Sequence, residues 1–340
     1  MNRQVLAHGS AWHSAWHSVW RSDRRPASAG RGLTASDIGR AAAVALHDEL
    51  ALSPKPGLVT LTSSGSHRDM DARTFMRSIS SLRRYFVRIA HLGAMDADFP
   101  ALERAGIEAE ARMLEATGGI NTHRGAIFLL GLLCASAGAV VAGHRRLTPE
   151  TIRTTLIERW GAALAQRALR PSTLPGGTAA RQLGLRSASE EAALGFPAVF
   201  ETAVPAMRSA VARGLPRERA QLDTLFHLMA TLDDSNLAHR GGLDGLRFAQ
   251  RAARGFLDQG GASAPDALAR ADAIATDFEA RRLSPGGAAD MLAAVCWMRR
   301  LGAIDAAVAL APIDALHAVD TLGALGELGA LDSPVLVPSP

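Results

Sequence analysis

The sequence predicts an all-α protein: a single-domain, multi-helix bundle around one buried apolar helix. Three observations lead there. Ala, Leu and Gly dominate the 340 residues, and β-branched residues are few outside short stretches, which favours helices over strands. Apolar residues recur at three- and four-residue spacings in several segments, and no alternating strand pattern emerges. The run 125–141 carries no charge. It is slightly short for a membrane span, rich in Gly, Ala and Ser, and reads as a central core helix.

Taken in order, Ser36 is placed to cap a first helix that runs to about Leu52, before Pro54 stops it. In 71–93, Phe75, Ile79, Leu82, Phe86 and Ile89 form one face, while Arg73, Arg77, Arg84 and Arg88 follow another. Pro100 opens the next helix and Gly118-Gly119 ends it. Its apolar stripe is Leu102, Gly106, Ala109 and Met113, with Glu110 at the margin. A carboxylate there either reaches out to water or aims into a cleft between helices. The charge-free helix follows, to about Gly143. Thr148-Pro149-Glu150 opens another, to about Leu169, and "RPSTLPGGTAA" reads as a loop. Further helices are expected near 188–195, 198–213 and 216–231. "LDDSNLAHRGG" interrupts the pattern before a helix from Gly242, and Ser284-Pro285 caps a late one.

Residues 1–33, with the repeat "AWHSAWHSVW" and an Arg/Ser/Gly/Pro stretch, read as a disordered extension. Residues 34–330 form the expected domain and 331–340 a loose tail. The formal charge of +4 is small for this length and makes no case for nucleic acid. Two cysteines, Cys134 and Cys296, sit in apolar helical contexts. They suggest buried thiols in a reducing, cytoplasmic compartment, with no zinc motif.

Polar residues cluster at expected helix mouths. In "TGGINTHRGAIFLLGLL" (117–133), Asn121, Thr122, His123 and Arg124 precede the apolar helix. The first N–H groups of a helix lack internal partners and the dipole there is positive, so a mouth with an adjacent Arg suits phosphate. Gly118 and Gly119 allow a sharp turn and close ligand approach. A capped turn between helices needs much of the same chemistry. "SHRDMD" (66–71) and "LDDSNLAHRGG" (232–242) use the same letters and add His67, Asn236, His239 and Arg240. Asp69 with Asp71, and Asp233 with Asp234, could share Mg²⁺ with substrate phosphates; helix capping explains each pair as well. The single lysine, Lys55 in "SPKPGLV", stands in a chain that otherwise uses Arg. A compact ammonium there suits a triphosphate oxygen.

At these residues the chain resembles the triphosphoribosyl-dephospho-CoA synthase family. The matching stretches are "SPKPGLV", "GSHRDMD" with "TFMRSISSLRRYF", "AEARMLEATGGINTHRGAIFLLGLL", "EEAALGFP", "LDDSNLAHRGG" and "RRLSPGGAADML", across roughly 40–295. Two branches are known, serving malonate decarboxylase and citrate lyase. The wording of "GSHRDMD" and "RRLSPGGAADML" is more similar to the malonate branch. Thr60 stands where the citrate branch usually carries Asp, and Ser235 where Thr is more usual.

The resemblance implies an all-α enzyme, a pentosyltransferase. The 2′-hydroxyl of 3′-dephospho-CoA attacks C1 of the ATP ribose and adenine leaves. The product is passed to a phosphoribosyl-dephospho-CoA transferase and the acyl-carrier subunit of malonate decarboxylase. Such a displacement needs a base, an acid for the leaving base and a negative setting for the cationic sugar. On this reading Glu110 is the base or oxocarbenium partner, and His67, His123 or His239 protonates adenine. Lys55, Arg124 and Arg240 hold phosphates, Mg²⁺ sits on Asp69, Asp71, Asp233 or Asp234, and Glu191 orients its neighbours. Two rivals are an all-α Mg²⁺-dependent nucleotide or diphosphate hydrolase and a helical scaffold that docks a carrier protein. The first is weakened because "DDSN" lacks the DDxxD spacing. Neither a nucleic acid nor a membrane is expected as a partner.

Overall fold

Helix α1 (Ala35–Ala51) starts earlier than the pattern predicts because Thr34, not Ser36, caps it. The Thr34 hydroxyl accepts from Asp37 N–H, and the Asp37 carboxylate takes the Thr34 N–H in return. The computed structural model describes residues 32–304. Residues 1–31 and 305–340 lie outside the described residues, and with them most of the expected 1–33 extension, the end of the 34–330 domain and the 331–340 tail.

Asp71 caps α2 (Ala72–Ala94), accepting from the Thr74 N–H and hydroxyl. Asp98 opens α3 (Phe99–Thr117), and Gly118, left-handed at φ 70°, closes it. The apolar helix is α4 (Arg124–Ala142), and Thr148 caps α5 (Pro149–Ala168). The stretch read as a loop holds a helix, α6 (Pro175–Gln182); Pro175 at its first position fixes φ for helix entry, which the Pro-Gly-Gly wording hid. Next come α7 (Ala188–Ala193), a π-helical turn (Ala198–Ala203) running into α8 (Val204–Ala212), and α9 (Arg217–Thr231).

Helix α10 (Ser235–Asp258) corrects the reading of "LDDSNLAHRGG" as an interruption. Only its first residues are non-helical, and Gly242 (φ 62°) kinks the helix rather than starting it. His239 and Arg240 therefore stand on a helix, not in a loop. A 3-10 turn (Gly261–Ser263) precedes α11 (Ala267–Ala280), a helix whose mostly alanine buried face gave no bulky periodic signal. α12 (Gly286–Arg300) closes the described chain. Its capping position is Pro285, and the Ser284 side chain is engaged elsewhere. There is no strand among the described residues.

Helix α4 is the hub of the bundle and packs against α1, α2, α3, α5 and α12. It is long and apolar enough to cross a membrane, and most of it is buried inside the fold. Leu130 and Leu133 have no exposed surface, each burial stabilising by about 1.5–3 kcal/mol. The seam with α2 is close: a Cβ at Gly93 would lie 1.9 Å from the Ala135 carbonyl oxygen, and one at Gly138 1.9 Å from that of Ala90. Tyr85 crosses the same seam and donates to Ile127 O at 2.8 Å. Cys134 and Cys296 are buried free thiols.

Candidate active site

The N-terminal ends of four helices open onto one cavity of about 1160 Å³: Arg124 of α4, Pro175 of α6, Ser235 of α10 and Gly286 of α12 all line it. Each end carries a partial positive charge, although Asn121 already takes an N–H at the mouth of α4 and Asp234 takes N–H groups of α10 and α12. Arg124, Arg167, Arg170, Arg181 and Arg240 stand around the same space. Arg167, Arg170 and Arg181 escaped the sequence reading because Arg170 opens the segment taken as a loop and the other two lie just outside it.

The polar knot before α4 sits on the wall. Asn121 accepts from Arg124 N–H at 3.1 Å, which caps the helix. Thr122 Oγ1 is buried with no protein partner. His123 is 3% exposed. Its Nδ1 meets the Ser78 hydroxyl at 2.6 Å, while its buried Nε2 has no partner and the residue lines the cavity. Burial first, then the nearby Lys55 ammonium, pushes its pKa down to about 3, so the imidazole is neutral. Glu110 and Arg124 both line the cavity and are ion-paired, Nε to Oε1, at 2.6 Å. Gly118 and Gly119 serve the turn instead: both have positive φ, and neither lies on the cavity wall.

A second wall joins distant segments. Arg240 donates to His67 Nδ1 at 3.0 Å, so His67 carries its proton on Nε2 and donates it to Ser284 Oγ at 2.9 Å. Burial, then Arg240, lowers the His67 pKa to about 4 against the raising effect of Asp69. Asn236 and His239 line the cavity from α10.

Lys55 departs from the expected phosphate contact. Its side chain has no exposed surface, and its ammonium donates to the Glu49 carboxylate and carbonyl, each at 2.6 Å. Burial lowers its pKa and the Glu49 carboxylate opposes that. Glu49, not Lys55, lines the cavity. The lone lysine is a compact ammonium buried on one carboxylate and one carbonyl.

The four aspartates do not assemble. Asp71 is spent as the α2 cap, whose backbone N–H holds its carboxyl below the ordinary value. Asp234 is 2% exposed and accepts from Asn236, Leu237 and Ala288 N–H, so it ties α10 to α12. Burial raises its pKa, opposed by those donors. Asp69 is an exposed carboxylate 3.8 Å from His67, and Asp233 lines a second cavity. Among the described residues no three His, Cys, Asp or Glu side chains form a metal cage. The residues present therefore form no metal cage of their own; a Mg²⁺ carried in on substrate phosphates would need only one or two carboxylates, and no step is routed through it.

That second cavity, about 300 Å³, shares Gly125, Phe128, Ser235, Gly287 and Asp290 with the first. Glu191 lines it, paired with Arg186 at 3.0 Å and accepting from Ala198 N–H at 2.6 Å, an orienting position. Asp290 was not singled out from the sequence. It lies on α12 against the mouth of α4, and a Cβ at Gly125 would fall 1.9 Å from its Oδ2. Burial, then Glu49 and Asp234, pushes its carboxyl well up, and the Ala126 N–H opposes them. An aspartate in helical register has no sequence signal for this; the acidic neighbours come from α1 and α10.

The assembled groups can hold polyanions, take a proton and give one. Comparison with known proteins gives the family. A family model described as ATP:dephospho-CoA triphosphoribosyl transferase matches residues 35–308. A relative from Citrobacter koseri, described as a probable 2-(5''-triphosphoribosyl)-3'-dephosphocoenzyme-A synthase, is 37% identical over 270 residues, 77% of this chain and 89% of that protein. One of the same description from Acinetobacter calcoaceticus is 37% identical over 260 residues, 76% of this chain and 89% of its own. No solved structure matches the chain. With the family model spanning nearly all the described helices, the chain belongs to the ATP:dephospho-CoA triphosphoribosyl transferase family and is a transferase.

Proposed function

We propose that the larger cavity is where the 5-triphosphoribosyl group of ATP passes to the 2′-hydroxyl of 3′-dephospho-CoA, releasing adenine. The observation that supports this best is the convergence of four helix N-termini and five arginines on a space of about 1160 Å³, large enough for polyphosphate and acceptor together. The triphosphate is retained through the reaction, so its charge must be held rather than cleaved. Glu110 is the candidate base for the incoming hydroxyl, with Arg124 exchanging between it and phosphate. Arg240 holds phosphate from the opposite wall. Mg²⁺ enters with ATP, and Asp69 and Asp233 are the carboxylates not engaged in helix caps.

We place the chain in the malonate decarboxylase branch. Thr60 after "SPKPGLV" and the wording of "RRLSPGGAADML" support that choice. The product would pass in the cytoplasm to a phosphoribosyl-dephospho-CoA transferase and then to the decarboxylase's acyl-carrier subunit. Incubation with Mg-ATP and 3′-dephospho-CoA is expected to release adenine in equal amount to product. Release of inorganic phosphate or pyrophosphate without adenine would favour the hydrolase reading and overturn this one. Deletion of the gene should abolish growth on malonate; loss of growth on citrate alone would move the chain to the other branch.

A further inference from the structure

Resting on the transfer reading above, we infer that the smaller cavity seats the adenine of ATP and that the Asp290 carboxyl delivers the proton on which adenine departs. The two cavities divide the substrates by charge. The larger holds five arginines beside five acids, with Arg124 paired to Glu110 and Arg167 and Arg170 to Glu103, so its charge is balanced. The smaller is walled by Glu191, Glu201, Asp233, Asp234 and Asp290, and its one arginine, Arg186, is already paired with Glu191. Acidic walls repel a triphosphate but favour a neutral heterocycle that gains a proton as it leaves. A space of about 300 Å³ admits a bicyclic base. Its apolar wall includes Phe128 and Phe196, whose rings stand edge to face at 6.4 Å, a surface suited to an aromatic base.

Asp290 belongs to both cavities. With the base in one and the triphosphate in the other, the anomeric carbon falls at the junction this carboxyl occupies. Packing against neighbouring helices, with Glu49 and Asp234 nearby, raises its pKa well above that of an ordinary carboxyl, although the residue keeps part of its surface open to the cavities. His67 and His123 are in the wrong state for the task, with pKa values of about 4 and about 3, and His239 lines only the larger cavity, away from the proposed seat of the base. In the step, the C1′–N9 bond breaks and its electron pair goes to adenine, which takes the Asp290 proton. The acceptor 2′-oxygen bonds to C1′ and loses its own proton to the base. One proton is given and one taken, so the totals balance.

The test compares Asp290→Asn with the wild type on ATP and on N7-methyladenosine triphosphate, whose base is already cationic and leaves without protonation. With ATP, adenine release should fall by about 10²- to 10⁴-fold. With the methylated analogue the variant should lose less than about tenfold, because the acid is no longer needed. An equal loss on both substrates, or no loss on ATP, overturns the acid assignment. Asp290→Ala serves the same comparison if the Asn variant does not fold. Thr202→Leu, which narrows the smaller cavity, should raise KM for ATP and leave dephospho-CoA binding unchanged. The reverse pattern overturns the seat of adenine. A wild type that consumes both substrates without releasing adenine overturns the transfer reading itself, which separates the two failures.

Discussion

The Glu110 carboxylate and the Arg124 guanidinium are each other's counter-ion, 2.6 Å apart across the turn between α3 and α4. One is the candidate base and the other a candidate phosphate clamp, so ligand charge and base strength are coupled in the same pair. Glu110→Gln keeps the shape and removes the charge. It is expected to fold, bind ATP at least as well as the wild type, and lose adenine release by about 10²- to 10⁴-fold. Single-turnover kinetics with bound ATP checks this, and full turnover by the variant removes Glu110 from the chemistry.

Lys55 and Glu49 form a buried pair with almost no exposed surface. Lys55→Met leaves the Glu49 carboxylate without compensation and should destabilise the fold by about 3–5 kcal/mol. Adding Glu49→Gln should restore most of that loss. Urea unfolding of the four members of the cycle measures it, and simple additivity would show the two groups to be uncoupled.

Asp290 gives a pH signature. Its folded-state carboxyl is raised well above the ordinary 3.8, so the native state holds a proton that the unfolded chain releases. Its stabilising contribution is complete below that value and is lost as pH rises towards the native pKa. Asp290→Asn has no proton to lose. Relative to wild type it should gain about 1.4 kcal/mol per pH unit crossed between pH 5 and the native pKa. His67 and His123, depressed to about 4 and about 3, act in the other direction: their contribution is complete above pH 6.5 and falls as pH drops. They are common to both proteins and cancel in the comparison. A difference in urea midpoint that does not change between pH 5 and pH 8 would contradict a protonated Asp290.

The aspartates should separate into two classes. Asp71→Ala and Asp234→Ala remove helix caps, and each should cost about 1–2 kcal/mol of stability, Asp234 more because it also holds Ala288 of α12. Asp69→Asn and Asp233→Asn should leave stability within about 0.5 kcal/mol, and only Asp69→Asn, beside His67 of the larger cavity, should raise the Mg²⁺ concentration needed for half-maximal rate. Thermal melts and Mg²⁺ titrations decide between them. A Mg²⁺ effect confined to the capping residues would place the cation where the present reading does not.

Helix by helix, most of the bundle is legible in the sequence because burial imposes a period and caps mark the ends: Asp71, Thr148 and Gly118 all stand where those rules put them. The reading fails where chain chemistry is ambiguous. Gly242 breaks a pattern without ending a helix, since a single positive φ can be absorbed as a kink. Pro175-Gly176-Gly177 looks like a loop and opens a helix. The cavity was partly visible, in Asn121, His123, Arg124, His239 and Arg240, because polar residues near helix mouths violate the core pattern, and in Glu110, a carboxylate at the margin of an apolar stripe. Lys55 was visible but misplaced, because its partner Glu49 lies six residues away across a non-helical turn. Asp290 was not visible at all. Its character comes from neighbours on other helices, which no periodicity in its own segment records.

The space a methyl group would need at position 125 is already taken by an oxygen of the side chain at 290. A side chain at 125 would make that carboxyl swing away from the place it holds at the mouth of α4. A descendant that fills the gap keeps the acid only by aiming it elsewhere, so the aim of the carboxyl is tied to the bare backbone opposite it.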